Sequence, residues 1–273
     1  MKTGLGILLC FSVATAAFSQ TNGGSDLTPQ VVARESLDAY AALTSYSDTG
    51  KTVEFEGGRT NITTFSIRMQ RPNLFKIHWV QTTGNQTNQG IWWADGHPPF
   101  SPGDTWLMTN TVGRQVMDQP EGIWAPFAID DVRKSSGQVT IVLNFFLQLD
   151  PGIDDFLTFA ASKTNSDWHK IELTDGKFGG VDCYIIVITW PAKTHDYYRQ
   201  QKTVARLWIG KQDHLVHQIQ SSSETPDTTM TQTHENISIN QKYADADFQE
   251  NIPKKNSSVT VHSSPPATFS HGP

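Results

Sequence analysis

Apolar and polar residues alternate with a period of two over much of this chain. Successive side chains of a β-strand point to opposite faces, so this period predicts strands with one buried face. Arg71, Pro72 and Asn73 separate the two clearest runs, and they are typical of a turn. The apolar positions of those two runs are Phe65, Ile67, Met69, Phe75, Ile77 and Trp79. A strand, a turn and a returning strand are therefore expected over 64–79.

Similar short runs recur at even spacing along the rest of the chain. Gly179-Gly180 and Asp175-Gly176 are turn signals between two of them, and 210–213 turns the next pair. The runs cover 91–93, 105–108, 115–117, 168–173, 181–190, 203–209, 215–221 and 228–240. Such spacing favours an antiparallel meander.

Two segments show helical features instead. Thr28 and Pro29 suit the N-cap and first position of a helix, and apolar residues recur at helical spacing from Val32 through Tyr46. Asp150-Pro151 predicts the start of a short middle helix that runs through Ala160. The apolar run 139–149 is compatible with a strand or a helix.

The first residues have the grammar of a secretory signal peptide. Lys2 precedes an apolar run over 5–13, and small residues follow. The run is shorter than the ~20 residues that a membrane anchor needs. Leu9 before Cys10 disfavours a lipidated cysteine. We expect a signal peptide over 1–19, with cleavage before Gln20 or earlier near Ala16, and export to the periplasm.

The composition and charge of the chain limit the classes of partner that it can bind. The chain has 27 acidic and 21 basic residues, a net charge of −6, and no clustered basic surface, which disfavours nucleic acid. A chain of 273 residues can bury a core without a disulfide or metal. Once Cys10 is removed with the signal peptide, Cys183 is the remaining cysteine, and its apolar surroundings suggest a buried small hydrophobe.

The spacing of the histidines and the missing sequence motifs disfavour a catalytic or metal site. An odd separation places His214 and His217 on opposite faces of a strand. His195-Asp196 does not supply the four-residue spacing of two ligands in a helical zinc motif. The sequence contains no Gly-x-Ser-x-Gly, no phosphate-binding glycine loop and no His-Glu-x-x-His. We expect no enzyme activity, no cofactor and no metal.

Four strings of residues carry a family resemblance through their order and spacing. They are Phe65–Trp79, Trp93–Gly96 followed by Thr105-Trp106, Arg206–Ile209 followed by Asp213–Leu215, and Asn236–Asn240 followed by Asp247-Phe248 and Pro253. Together they resemble the hairpins and closing strand of the LolA/LolB/LppX-like lipoprotein-carrier superfamily, including its exported bacterial proteins of unknown function. The resemblance covers Thr28 to Pro253.

The resemblance implies a mainly β, α+β fold. It is an open antiparallel half-barrel of about 10 to 11 strands wrapped around the N-terminal and middle helices, as a single domain over 28–253 after a flexible lead at 20–27 and before a disordered tail at 254–273. An apolar cavity between sheet and helices would hold acyl chains. The candidate cavity residues are Phe65, Ile67, Met69, Phe75, Ile77, Trp79, Trp93 and Trp106. Arg68 and Arg71 are candidates to meet an anionic head group.

The expected function is a monomeric periplasmic carrier that binds a lipid, a lipoprotein or another amphiphile, with no stable membrane span. The alternative is an envelope protein-interaction or stress-sensor module with the same fold. Apolar residues that line an internal cavity would favour the carrier, whereas an exposed apolar patch would favour a protein partner.

Overall fold

The structure, a computed structural model, describes residues 27–72, 74–95, 105–110, 114–118, 142, 145–146, 156–192, 202–223 and 228–248. The signal peptide, its cleavage site, most of the lead, the tail, the start of the middle helix and His195-Asp196 lie outside these residues and stay predictions. The predicted domain bounds also stay predictions.

One open antiparallel sheet forms most of the described structure. It has eleven strands in the order β6-β5-β4-β3-β2-β1-β11-β10-β9-β8-β7, so β6 and β7 are its edges. The strands are β1 (Ser45–Glu56), β2 (Arg59–Gln70), β3 (Leu74–Thr83), β4 (Gln86–Asp95), β5 (Thr105–Asn110), β6 (Arg114–Asp118), β7 (Lys170–Phe178), β8 (Val181–Trp190), β9 (Thr203–Gly210), β10 (Val216–Ser223) and β11 (Thr228–Ile239). The predicted mainly β, open half-barrel architecture is confirmed.

The sheet consists of two meanders joined in its middle. Strands β1 to β6 form one meander and β7 to β11 form the other, and each strand pairs with its sequence neighbours. The meanders meet where β1 pairs with β11, from Tyr46 opposite Ile239 to Glu56 opposite Thr228. We call this β1–β11 pairing the seam. It is interrupted by a register shift between Ser47 and Thr49.

The α-helices whose bounds the structure describes pack against one face of the sheet, which we call the inner face. They are α1 (Pro29–Ala42) and α2 (Phe156–Ser162). Side chains of α1 bind the end of α2, since Gln30 Nε2 donates to the Lys163 carbonyl at 2.8 Å and Arg34 Nε donates to the Ala161 carbonyl at 3.3 Å. Residues of both helices and both meanders belong to one buried apolar cluster.

The start of α1 is as predicted, but its end is not. Thr28 is the N-cap, its Oγ1 accepts from Val31 N at 3.3 Å, and Pro29 opens the helix. The prediction that the helix continues through Tyr46 is wrong, because α1 ends at Ala42 and β1 begins at Ser45. Strand β1 pairs on both sides, so its backbone groups and the buried Tyr46 ring gain partners that a longer helix would not supply.

Two further sequence predictions can be compared with the structure. Asp175-Gly176 is not a turn, because β7 runs through it to Phe178 and the turn lies at Gly179-Gly180, where both φ angles are positive. Gly176 opposes Cys183, and the Ile185 side chain fills the space that a Cβ of Gly176 would need. Of the run 139–149, the described residues Val142, Phe145 and Phe146 are helical and buried.

A short segment after β11 crosses the outer face of the sheet. It contains a 3₁₀ helix (Asp245–Phe248) whose Phe248 is fully buried. The Tyr243 hydroxyl donates to Ser47 Oγ at 2.8 Å, and Tyr243 N donates to Gln70 Oε1 at 3.1 Å. This segment covers the outer side of β1 and β2, opposite the helices.

Candidate functional site

Six of the predicted cavity residues come together on the inner face of β2 and β3. They form three cross-strand pairs in register, Phe65 with Trp79, Ile67 with Ile77 and Met69 with Phe75. Their exposed fractions lie between 0% and 5%, and all six belong to the common apolar cluster. We call these six residues the apolar wall. Alternation alone placed them correctly on one face, because neither strand has a bulge in this stretch.

The other two predicted cavity residues, Trp93 and Trp106, are not in register with the residues of the apolar wall. Trp93 lies opposite Lys76, and Trp106 lies opposite Trp93. The register partner of Ile77 is Trp92. The side chains of Trp93 and Trp106 lie outside the described structure, so their place in a cavity stays a prediction.

The two predicted head-group arginines have different places: Arg68 lies within β2 and Arg71 in the turn that follows it. Arg68 is on the outer face, where it pairs with Asp247 at 3.3 Å and lies 4.9 Å from the centre of the Tyr243 ring. Arg71 donates to three backbone carbonyls, at 2.8 Å to Leu43, 3.3 Å to Tyr40 and 2.6 Å to Phe146. Burial lowers the pKa of its guanidinium. In this structure, Arg71 ties the end of α1 to the turn after β2.

A strip of buried polar residues lies next to the apolar wall. Asp48 and Thr52 on β1, Thr63 on β2 and His234 on β11 are each exposed by 4% or less. The register places them on the same face as the wall, because Asp48 opposes Ile67, Thr52 opposes Thr63, and Gly50 opposes both Phe65 and His234. We call these four residues the polar strip.

A hydrogen-bonded pair crosses the seam within the polar strip. His234 Nδ1 lies 2.6 Å from Asp48 Oδ2, and the Tyr46 hydroxyl donates to the same oxygen at 2.7 Å. Because a carboxylate oxygen accepts, we assign the Nδ1 proton to this bond. Burial raises the pKa of Tyr46, to which the nearby Asp48 carboxylate adds. The pair joins the two meanders at the bulge.

Four atoms around the strip have no hydrogen-bond partner. Within the described part of the chain they are Asp48 Oδ1, His234 Nε2, Thr52 Oγ1 and the indole Nε1 of Trp79. Each such group costs about 1–3 kcal/mol when buried unpaired, so several in one region need an explanation.

The polar strip was missed in the sequence prediction. Its signal was present, since Asp48 and Thr52 occupy the same alternating positions of β1 as the buried Tyr46. That alternation could not be used, because Tyr46 was assigned to the helix. His234 was hidden for another reason: the run 228–240 was treated as a strand with a polar face, and its burial depends on long-range pairing with β1.

One more carboxylate lies at the far end of the strip. Glu54 follows Thr52 at the next inner position of β1, and burial raises its pKa, with repulsion from Glu56 adding to the rise. The charged form of Glu54 is thus disfavoured in the folded protein.

Two histidine–carboxylate pairs lie at the β9–β10 hairpin. His217 Nε2 lies 2.9 Å from Asp213 Oδ2, and His214 Nδ1 lies 3.6 Å from Glu35 on α1. His214 has a positive φ in the turn, so it does not continue the strand of His217. Across the described ranges, no group of three or more His, Cys, Asp or Glu side chains could hold a metal.

Cys183 is fully buried, as predicted for a small hydrophobic residue. Burial raises the pKa of its thiol, which opposes formation of the reactive thiolate.

No described helix is both long and apolar enough to span a bilayer. No family model matches the chain, and no curated protein matches it.

Solved structures do match. One is LprF from Mycobacterium bovis, at 11% identity and a TM-score of 0.42, over 79% of this chain and 94% of that one. Another is the MucA/MucB complex of Pseudomonas aeruginosa, at 10% identity and a TM-score of 0.42, over 82% of this chain and 61% of that one. A LolA superfamily protein from Nitrosomonas europaea matches at 7% identity and a TM-score of 0.27, over 82% of this chain and 98% of that one.

Proposed function

We propose that the protein is an exported carrier that binds the acyl part of a lipid or lipoprotein on the inner face of its sheet, without catalysing a reaction. The apolar wall carries this proposal. Its three cross-strand pairs give a continuous apolar surface, flanked by the polar strip, on the face where the helices pack. An amphiphile has the same division between an apolar chain and a polar head.

The free energies are of the right size. A sixteen-carbon chain represents on the order of 10 kcal/mol of transfer free energy, at ~0.8 kcal/mol per methylene. Large aromatic and methionine side chains, such as Phe65, Trp79 and Met69, offer broad and adaptable contact for such a chain. Because the wall is already buried, a bound chain must replace contacts that the wall now makes within the protein.

The second candidate is a module that binds an envelope protein. It would be favoured by a contiguous exposed apolar patch. Among the described residues, the large apolar side chains with at least about a third of their surface exposed lie on four separate segments. They are Leu27, Val80, Trp168 and Ile239. We therefore place the lipid carrier first.

The first experiment asks whether the protein holds a lipid. The chain would be produced with export to a periplasm, purified without detergent, and extracted for lipid mass spectrometry. Stoichiometric acyl lipid supports the carrier. If no lipid is extracted, and added fluorescent fatty acids and lysolipids also fail to bind, the carrier is excluded and the protein-binding module takes its place.

The second experiment places the acyl chain. Bromine atoms on a bound chain quench nearby tryptophans, so brominated palmitate should quench Trp79. Trp79→Phe should then reduce the quenched fraction of the emission, whereas Trp168→Phe, at a side chain 54% exposed and away from the wall, should not. An equal effect of the two substitutions would contradict binding at the wall.

A further inference from the structure

The polar strip has hydrogen-bonding capacity that the protein does not use. Asp48 Oδ1 can only accept when ionised, and the Trp79 indole can only donate. Thr52 Oγ1 can do both. In the described structure, all three atoms lack a hydrogen-bond partner. Each belongs to a side chain that is at least nine-tenths buried.

These atoms border one region of the inner face. Gly50 lies midway between Asp48 and Thr52 along β1, and those two residues are roughly 13 Å apart along the strand. The ring of Phe65 lies over Gly50, where a Cβ would run into it, and 5.5 Å from the His234 ring. Trp79 pairs with Phe65 on the next strand. The unpaired atoms therefore surround the Phe65 ring, where the apolar wall meets the polar strip.

The charge of this region selects against anions. The Asp48 carboxylate lies on the inner side of β1, and the Nδ1 proton of His234 beside it is already used in the hydrogen bond to Asp48. Lys51 and Arg68 occupy the alternate, outward positions of β1 and β2, and Arg59 is exposed beside the hairpin turn. An ionised phosphate or carboxylate placed here would approach the Asp48 carboxylate and could not donate to its Oδ1.

A cationic amine also fits incompletely. An ammonium group could donate to Asp48 Oδ1, but it has no lone pair to accept from Trp79 Nε1. A hydroxyl group both donates and accepts. Two neighbouring hydroxyls could therefore serve an acceptor and a donor of the site together.

We propose that the polar strip, with Trp79, binds the uncharged, hydroxyl-bearing head group of an amphiphile such as a monoacylglycerol. This inference rests on the proposed function, since the acyl chain of the same ligand would lie on the apolar wall. It replaces the predicted contact of Arg68 and Arg71 with an anionic head by a neutral site on the inner face.

The test compares ligands that share one chain and differ in the head. Monopalmitoylglycerol, palmitate and hexadecylamine compete, below their critical micelle concentrations, against the apolar probe N-phenyl-1-naphthylamine. Monopalmitoylglycerol should displace the probe at about tenfold lower concentration than either charged ligand, the size expected from one additional satisfied hydrogen bond. Equal potency of the three ligands, or a preference for palmitate, would overturn the head-group inference while leaving lipid binding intact. Failure of the probe and of all three ligands to bind would instead exclude the proposed carrier.

A substitution then locates the preference. Thr52→Val removes the hydroxyl with little change of shape. The ratio of the concentrations at which palmitate and monopalmitoylglycerol displace the probe should then be no more than about threefold. Thr64→Val is the matched control, because Thr64 is exposed on the outer side of β2, and it should keep the ratio. A ratio unchanged by Thr52→Val in a folded variant would place the head group elsewhere. If Thr52→Val fails to fold, the comparison of head groups on the unaltered chain still decides the inference.

Discussion

Arg68 and Arg71 are three residues apart but have different surroundings. The side chain of Arg68 is 41% exposed and pairs with the similarly exposed Asp247. Arg71 binds three carbonyls, two of them at the end of α1. The same residue type therefore has a peripheral role at one position and a structural one at the other.

This contrast predicts unequal effects on stability. Arg71→Met leaves three carbonyls without their charged donor and should lower the free energy of unfolding by about 2–3 kcal/mol. Arg68→Met removes an exposed ion pair and should cost less than about 1 kcal/mol. Urea unfolding followed by tryptophan fluorescence measures the stability of both variants. Similar losses of stability in the two would contradict a structural role for the hydrogen bonds of Arg71.

A substitution at Glu54 should raise the free energy of unfolding, whereas the two arginine substitutions should lower it. Its pKa in the folded protein is raised by burial and by Glu56, so its stabilising contribution is present below the unfolded pKa of about 4.3 and is lost as the pH rises through the folded pKa. Glu54→Gln should therefore gain stability relative to the unsubstituted protein between pH 4 and pH 7. Glu235→Gln, at an exposed position of β11, is the control. Urea midpoints across this pH range test the difference, and parallel curves for Glu54→Gln and the unsubstituted protein would refute it.

At the level of single residues, local pattern predicted the wall but not the strip. The wall residues alternate strictly, so each was assigned to its face from its immediate neighbours. The polar strip interrupts an apolar face with Asp48 and Thr52, and such residues are ordinarily assigned to solvent. Their burial follows once Tyr46 is assigned to β1 and that strand is paired with β2 and β11.

Among the elements, the β9–β10 hairpin depends on one carboxylate. Burial would raise the pKa of Asp213, but the hydrogen bond from His217, the Leu215 N–H and the charge of His217 outweigh it and lower the pKa. Asp213 Oδ1 accepts from Leu215 N at 3.0 Å, and its other oxygen contacts His217. One side chain thus holds the turn and the first residues of β10.

Asp213→Asn should therefore destabilise the protein in a pH-dependent way. The loss should be about 1–2 kcal/mol at pH 7, where the carboxylate is ionised. A lowered folded-state pKa contributes stability above the unfolded value of about 3.9, and this contribution is lost as the pH falls further. The difference between variant and unsubstituted protein should thus shrink below about pH 4. Thermal unfolding from pH 3 to pH 7 measures it, with the exposed Asp38→Asn as control, and a loss that is constant with pH would argue against the carboxylate.

The elements themselves could be predicted where their pattern is local. The N-cap of α1 was recognised because Thr28 and Pro29 act within one helical turn. The end of α1 was not, since it is decided by partners of Tyr46 that lie far along the chain, Met69 and Ile239. Gly176 was misassigned for a related reason, because the Ile185 side chain that fills its space belongs to the next strand.

For the whole molecule, the seam lies in the interior of the sheet, where strands have partners on both sides. β1 is paired on both sides, by β2 and β11, whereas β7 lies at an edge of the sheet and, among the described strands, pairs with β8 alone. Local opening is easiest where backbone hydrogen bonds are few and exposed. The two meanders should therefore be most firmly held at their junction.

Hydrogen exchange followed by mass spectrometry tests this order. Peptides within Ser45–Glu56 should exchange most slowly, and peptides within Lys170–Phe178 should be the fastest among the described strands of the second meander. A difference on the order of a hundredfold is expected, as between interior and edge strands that open locally. Equal protection of the two strands would contradict a sheet organised around the seam.

The seam also constrains when the protein can fold. β1 is the first of the described strands and β11 the last, yet they are neighbours, so β1 gains its second partner only after residues near Ile239 have left the ribosome. Pairing across such a sequence separation is slow, because a long loop must close first. A nascent chain would therefore keep its central strand half-paired for almost the whole of synthesis. If the chain is exported as proposed, that delay would keep it competent for translocation as an extended polypeptide until all of the described strands are on the far side.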